Sequence, residues 1–176
     1  HQLPDVSMTP KQTLPIDAIR QDVLATPAGG RLVLSSPTGS GKSTQVPRWF
    51  RSLGKVLVVE PRRVACRSLA ARVAELDGHS VGEETGYIVR DERRSSAKTT
   101  VTFATPGVVL RFLREQAHRD YQTVIIDEFH ERSLDTDLLL ALLQEDSTIR
   151  LIVMSATLDG DRIAEHLGGI HLHAPG

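Results

Sequence analysis

The sequence predicts an α/β domain in which a mostly parallel sheet is covered on both faces by helices. Short runs rich in Val, Ile and Leu recur at strand length, at residues 31–35, 55–59, 99–103, 123–127 and 150–154. Segments with helical spacing lie between them, at 42–53, 64–76, 107–116, 134–144 and 159–167. The strand-like runs are almost wholly apolar, as strands covered on both faces must be, and strand–helix alternation implies parallel pairing.

In chain order, residues 14–24 read as an added N-terminal helix, and Gly29-Gly30 introduces the first strand. Pro61-Arg62-Arg63 follows the second strand and opens a helix that ends at Asp77-Gly78. Residues 90–98 read as a charged loop rich in Arg and Ser. Thr105-Pro106-Gly107 opens the next helix, and residues 172–176 read as a Pro/Gly stop. The expected division is a tail or expression remnant at 1–13, one domain over 14–172, and the start of a linker at 173–176.

A chain of 176 residues suffices for one domain with a core of its own. The single cysteine, Cys66, excludes an intramolecular disulfide and fits a reducing, cytoplasmic setting. No run approaches the roughly 18 apolar residues of a membrane span, and no membrane partner is expected. The net charge of -1 argues against wholesale polyanion binding, but its distribution is uneven. Residues 48–98 hold eleven Lys/Arg against seven Asp/Glu, and residues 115–146 hold two against nine. This allows one basic surface for phosphates and one acidic neighbourhood for a metal.

The candidate chemistry starts at Thr38-Gly39-Ser40-Gly41-Lys42-Ser43-Thr44, between a strand and a helix. Glycines there let backbone N–H groups turn inward around an anion, and the helix N-terminus adds its dipole. Lys42 is placed to reach the β and γ phosphates of a nucleoside triphosphate, and the Ser43 hydroxyl to ligate Mg²⁺. Ser36 stands where such loops usually carry glycine. The competing reading is a Gly/Ser turn that caps a helix. Asp127 and Glu128 end the apolar run Val124-Ile125-Ile126, which sets them at the carboxyl edge of a central strand. Asp127 would hold Mg²⁺ through water, and Glu128 beside it is a further metal candidate that would orient or deprotonate the attacking water. His130 reads as a coupling residue and not as a metal ligand, since no Cys/His cluster has zinc spacing. Ser155 and Thr157, after another strand, are placed to bond the Glu128–His130 turn. Arg62 and Arg63, and the matching position of Thr105 and Gly107, suit a phosphodiester backbone. Exposed charge at a Pro-initiated helix explains the same residues without a ligand. Aromatic residues make up only 4%, so backbone contact would outweigh base stacking, with little sequence preference and strong salt dependence.

As an ordered set, residues 37–45, 60–65 (Glu-Pro-Arg-Arg-Val-Ala), 105–107, 127–134 (Asp-Glu-Phe-His-Glu-Arg-Ser-Leu) and 155–159 resemble the DEAH/DExH-box helicases of superfamily 2. Asp-Glu-Phe-His followed by Glu-Arg-Ser-Leu is most similar to the bacterial HrpB type. The resemblance implies a three-layer RecA-like P-loop NTPase domain, the first of two motor domains. It implies ATP hydrolysis coupled to 3′-to-5′ movement on single-stranded RNA, with tolerance for other NTPs. It places Arg72 against the nucleotide base and Arg90 in a hook-shaped loop near RNA. It also implies a second RecA-like domain that supplies arginine fingers, without which the domain is expected to bind nucleotide but hydrolyse it poorly. Two other classes stand beside this reading: a P-loop kinase-like phosphotransferase, and a nucleic-acid-binding module without catalysis.

Overall fold

The computed structural model describes residues 13–156 and 159–175. Their eight strands form one sheet: β1 (Arg31–Ser35), β2 (Val56–Val59), β3 (Thr85–Val89), β4 (Glu92–Arg94), β5 (Val101–Ala104), β6 (Thr123–Ile126), β7 (Arg150–Ser155) and β8 (Ile170–His173). The spatial order is β4-β3-β5-β2-β6-β7-β1-β8, and every pairing is parallel except that of β3 with β4. The helices are α1 (Arg20–Leu24), α2 (Lys42–Phe50), α3 (Arg63–Asp77), α4 (Pro106–Arg114), α5 (Leu134–Gln144) and α6 (Gly160–Leu167).

The two-residue side-chain period of a strand sorts the apolar runs into two cores. Leu32, Leu34, Val56, Val58, Phe103, Ile125, Ile152 and Met154 share one face with Val46 and Phe50 of α2 and Cys66 and Val73 of α3. Val33, Leu57, Val59, Val124, Ile126, Leu151 and Val153 share the other with Val109 of α4, Leu139 and Leu143 of α5, and Leu167 of α6. The domain therefore has the three layers expected, with the sheet in the middle.

Three local departures have physical causes. Residues 14–24 do not form one helix: Pro15–Ile19 is a 3-10 turn, and α1 starts at Arg20. The backbone N–H of Ile16 is spent outside the helix, on the carbonyl of Ser40 at 3.2 Å. The charged stretch 90–98 is partly strand, since β4 closes a hairpin on β3 through the turn at Arg90 and Asp91. Gly86 of β3 lets that hairpin close, because a Cβ there would lie 2.1 Å from the carbonyl oxygen of Arg94. The Pro/Gly stop begins inside β8, which pairs with β1, and the Ala174 N–H donates to the Ser35 carbonyl at 2.8 Å. Ile-His-Leu-His is short and half polar, as a strand at a sheet edge tends to be.

α2 and α3 are pinned to one another at their C-terminal ends. The Asp77 carboxylate accepts from Arg48 Nε at 3.0 Å and Nη2 at 2.7 Å, and from Arg51 as well. Burial works against the ionised form of Asp77, but the hydrogen bonds from Arg51 and Arg48 outweigh it and hold its pKa below the usual carboxylate value. A depressed folded-state pKa gives stability that is complete above the unfolded-state value and is lost as pH falls through the folded one. Asp77→Asn is expected to lower the unfolding free energy in urea by about 1–3 kcal/mol at pH 7. The deficit should shrink below about pH 4; a deficit unchanged at pH 3 would contradict this account.

Candidate active site

Because the strands run parallel, their carboxyl ends share one edge, and the loops leaving that edge follow the strand order. From one side to the other come the Arg90 turn after β3, Thr105–Gly107 after β5, Glu60–Arg63 after β2, Asp127–His130 after β6, Ser155 and Ala156 ending β7, and the glycine loop after β1. The expected nucleic-acid residues occupy the β3-β5-β2 half, and the glycine loop and the acidic pair the β6-β7-β1 half.

The glycine loop is held from inside and from below. Ser40 Oγ donates to Ser36 Oγ at 3.0 Å, both residues being buried. Ser36, which replaces the usual glycine, therefore adds an internal tie. Gly41 adopts φ 92° and starts α2 at Lys42. A Cβ at Gly41 would meet Leu14 Cδ1 at 2.7 Å, so glycine is needed for both conformation and space. Thr44 Oγ1 donates to the Gly41 carbonyl at 3.2 Å, and Thr38 and Gly39 lie exposed at the loop tip.

The acidic pair converges on that loop. Ser43 Oγ donates to Asp127 Oδ2 at 2.6 Å, across the intervening strand β7. Lys42, only 5% exposed, holds its Nζ 4.0 Å from Glu128 Oε1. Glu128 stands at φ 54°, an uncommon conformation for a non-glycine residue, and this turns the chain sharply as β6 ends. The backbone N–H of Glu128 donates to Asp127 Oδ1 at 2.9 Å, and that of Phe129 to the Met154 carbonyl at 3.0 Å.

His130 Nδ1 accepts the Ala156 N–H at 3.1 Å, and its Nε2 lies 3.1 Å from Glu128 Oε2. An acceptor Nδ1 leaves Nε2 as the protonated nitrogen of the neutral ring, so Nε2 donates to Glu128. Side-chain ligand atoms of Glu128, His130 and Glu131 lie within 4.8 Å of one another. The Nε2 proton faces Glu128, so in this arrangement that nitrogen presents no lone pair to the cluster. Buried Ser155 ends β7, where the amide of Ala156 carries the bond to His130; Thr157 lies outside the described residues.

A family model for the DEAD/DEAH box helicase matches residues 9–166. The chain belongs to the DEAD/DEAH box helicase family. A relative described as "ATP-dependent RNA helicase HrpA", from Borreliella burgdorferi, is 44% identical over 138 residues, covering 73% of this chain and 17% of the relative. The crystal structure of Escherichia coli DEAH/RHA helicase HrpB superposes with a TM-score of 0.85 at 37% identity, over 93% of this chain and 22% of that one. The chain thus spans about a fifth of the length of these relatives.

Within this helicase domain the Mg²⁺ donor set is coherent. Hydroxyl and carboxylate oxygens 2.6 Å apart approach the ~2.9 Å separation of neighbouring ligands in an octahedral Mg²⁺ shell. Ser43 and Asp127 would hold the ion, with Glu128 at its margin.

One buried acid beside the site had no role in the sequence reading. Glu60 follows the apolar run of β2 as Asp127 follows that of β6, and that parallel was the available signal. It is 1% exposed, and its Oε1 has no hydrogen-bond partner. Burial first, then the charge and hydrogen bond of Asp127, raise its carboxyl well above the usual range, with Lys42 opposing. Glu60 therefore sits buried behind Asp127, where burial and the neighbouring carboxylate disfavour its charged form.

The remaining residues are placed but not drawn together. Arg72, exposed on α3, lines a groove of about 780 Å³ with Thr44, Gln45 and Trp49, next to the phosphate loop. Arg63 and Arg90 lie exposed on the other half of the edge, where Arg62 is exposed but bonded to Glu131, and Thr105 precedes Pro106 at the start of α4, with Gly107 exposed. Cys66 is buried, and burial pushes its thiol up to about 12, so it is unreactive. No helix among the described residues is long and apolar enough to cross a membrane.

Replacing the desolvated carboxyl by an amide of the same shape removes a cost. Glu60→Gln is expected to raise the melting temperature at pH 7.5. A lower one would show that the acid itself is needed.

Proposed function

We propose that this domain binds a magnesium–nucleoside triphosphate in the β6-β7-β1 half of the edge and single-stranded RNA on the β3-β5-β2 half. As the ATP-binding motor domain of an ATP-dependent RNA helicase, it would couple NTP hydrolysis to 3′-to-5′ translocation and unwinding. The observation that carries this reading is the Ser43–Asp127 contact at 2.6 Å, with Lys42 and Glu128 beside it. Bound Mg²⁺ would neutralise the charge that develops on the transferring phosphoryl group.

The protein's own residues divide the remaining work. Backbone N–H groups from Thr38 to Thr44 cradle the phosphates, and Lys42 Nζ neutralises them. Glu128 takes the proton of the attacking water. His130, donating from Nε2, holds the Glu128 carboxylate in place, and the Ala156 N–H fixes the tautomer that allows it. This ties the water-activating group to the end of β7; Ser155 and Thr157 would transmit the nucleotide state. Arg72 covers the base at the mouth of the groove it shares with Thr44. A base held by a guanidinium face alone is read loosely, so ATP and other NTPs are accepted.

For RNA, the support is the line of exposed Arg62, Arg63 and Arg90, with Thr105 and Gly107 between them in strand order, and the printed description of the HrpA relative as an RNA helicase. Grip on phosphates implies weak sequence preference. A second RecA-like domain of the same protein would close over this edge with its arginine fingers. Such a protein works in the cytoplasm, which suits the free Cys66.

The test is calorimetry with Mg·ADP on the 176-residue chain, and turnover in a chain carrying both motor domains. Lys42→Ala should abolish measurable nucleotide binding. Glu128→Gln should retain nucleotide and RNA binding but lower turnover by about 10²- to 10⁴-fold. Undiminished turnover in Glu128→Gln would overturn the assignment.

A further inference from the structure

The two halves of the carboxyl edge meet between β2 and β6. One exposed ion pair crosses that border. Arg62, the residue before α3, reaches over to Glu131 and bonds its Oε1 through Nη2. Glu131 is no isolated surface charge: its N–H donates to the carbonyl of Glu128 at 2.8 Å, and its side chain lies within 4.8 Å of those of Glu128 and His130. A residue placed for RNA phosphate is thus tied to the turn that carries the water-activating carboxylate.

We propose that Glu131 is a positioning residue that couples RNA to hydrolysis by competing with RNA phosphate for Arg62. The proposal rests on the RNA reading of Arg62 given above. A guanidinium binds a carboxylate or a phosphate through the same fork of N–H groups, so its full engagement with one excludes the other. Without RNA, Arg62 bonds Glu131 and through it restrains the Glu128–Glu131 turn. When a phosphodiester takes Arg62, Glu131 is released and that restraint on the turn is lifted. The exposure of the pair, 67% for the Arg62 side chain and 35% for that of Glu131, keeps it weak enough to exchange. A half-buried pair held by several hydrogen bonds, such as that at Asp77, would yield to a phosphate less readily.

The test is RNA binding by the 176-residue chain, followed by fluorescence anisotropy with a labelled oligouridylate at several salt concentrations. Arg62→Ala should weaken binding and reduce the slope of log K against log [salt] by about one. Glu131→Gln should do the reverse. It should tighten binding by about two- to fivefold, the scale of an exposed ion pair, and steepen the slope, because Arg62 no longer has a carboxylate to leave. In the Arg62→Ala background the Glu131→Gln gain should vanish. Glu145→Gln makes the same charge change on the opposite edge and should give less than half the gain. Equal gains in Glu131→Gln and Glu145→Gln, or a Glu131→Gln gain that survives in Arg62→Ala, would overturn the competition while leaving the RNA reading intact. Arg62→Ala binding RNA as tightly as the unmodified chain would instead overturn the RNA reading of Arg62, and the proposal with it.

Discussion

The contact between Ser43 and Asp127 constrains the rest of the structure. The hydroxyl belongs to the loop after β1 and the carboxylate to the end of β6, and β7 lies between them. For the two oxygens to meet, three strands must end level, and β7 must carry small or backbone groups where it passes beneath. It does so with Ser155 and Ala156, whose amide is turned to His130. The brace from the N-terminal segment, Ile16 N–H to Ser40 and Leu14 against Gly41, keeps the loop at the height the contact needs. These features follow from bringing one hydroxyl and one carboxylate together across a strand.

The division of the edge follows from topology and not from composition. The sequence order β1, β2, β3, β5, β6, β7 becomes the spatial order β3-β5-β2-β6-β7-β1. Residues far apart in the chain therefore adjoin, and neighbours such as Glu60 and Arg62 face different tasks. Glu60 is buried behind Asp127 while Arg62, two positions on, is open to solvent and tied to Glu131. The border between β2 and β6 is where a buried carboxyl and an exposed ion pair stand side by side. It is the natural place for one half of the edge to sense the other.

Much of this was legible in the sequence, for identifiable reasons. The central strands could be read because burial on both faces makes them apolar throughout, as in Val56–Val59 and Thr123–Ile126. The places of the glycine loop and of Asp127 at strand ends could be read because an apolar run that breaks into glycines or a carboxylate marks where a buried strand stops. β3, β4 and β8 escaped because their signals are weak: a glycine in Thr85–Val89, an exposed Glu-Arg-Arg, and the half-polar Ile170–His173. Glu60 escaped because a lone glutamate looks like surface until its burial is seen. The Ala156–His130 bond escaped because it uses a backbone N–H, which every residue but proline carries and no sequence advertises. The Arg62–Glu131 pair, 69 residues apart in the chain, is set by three-dimensional adjacency alone.

The central claim is that the Ser43 hydroxyl and the Asp127 carboxylate form one cation site beneath the phosphate loop. Magnesium-dependent tightening of ADP binding, measured by calorimetry for the unmodified chain, Ser43→Ala, Asp127→Asn and the double variant, tests it most directly. The account predicts that Mg²⁺ tightens binding in the unmodified chain, that either single substitution removes most of that gain, and that the double variant loses little more. Magnesium tightening that persists undiminished in Asp127→Asn, or losses that simply add, would contradict it.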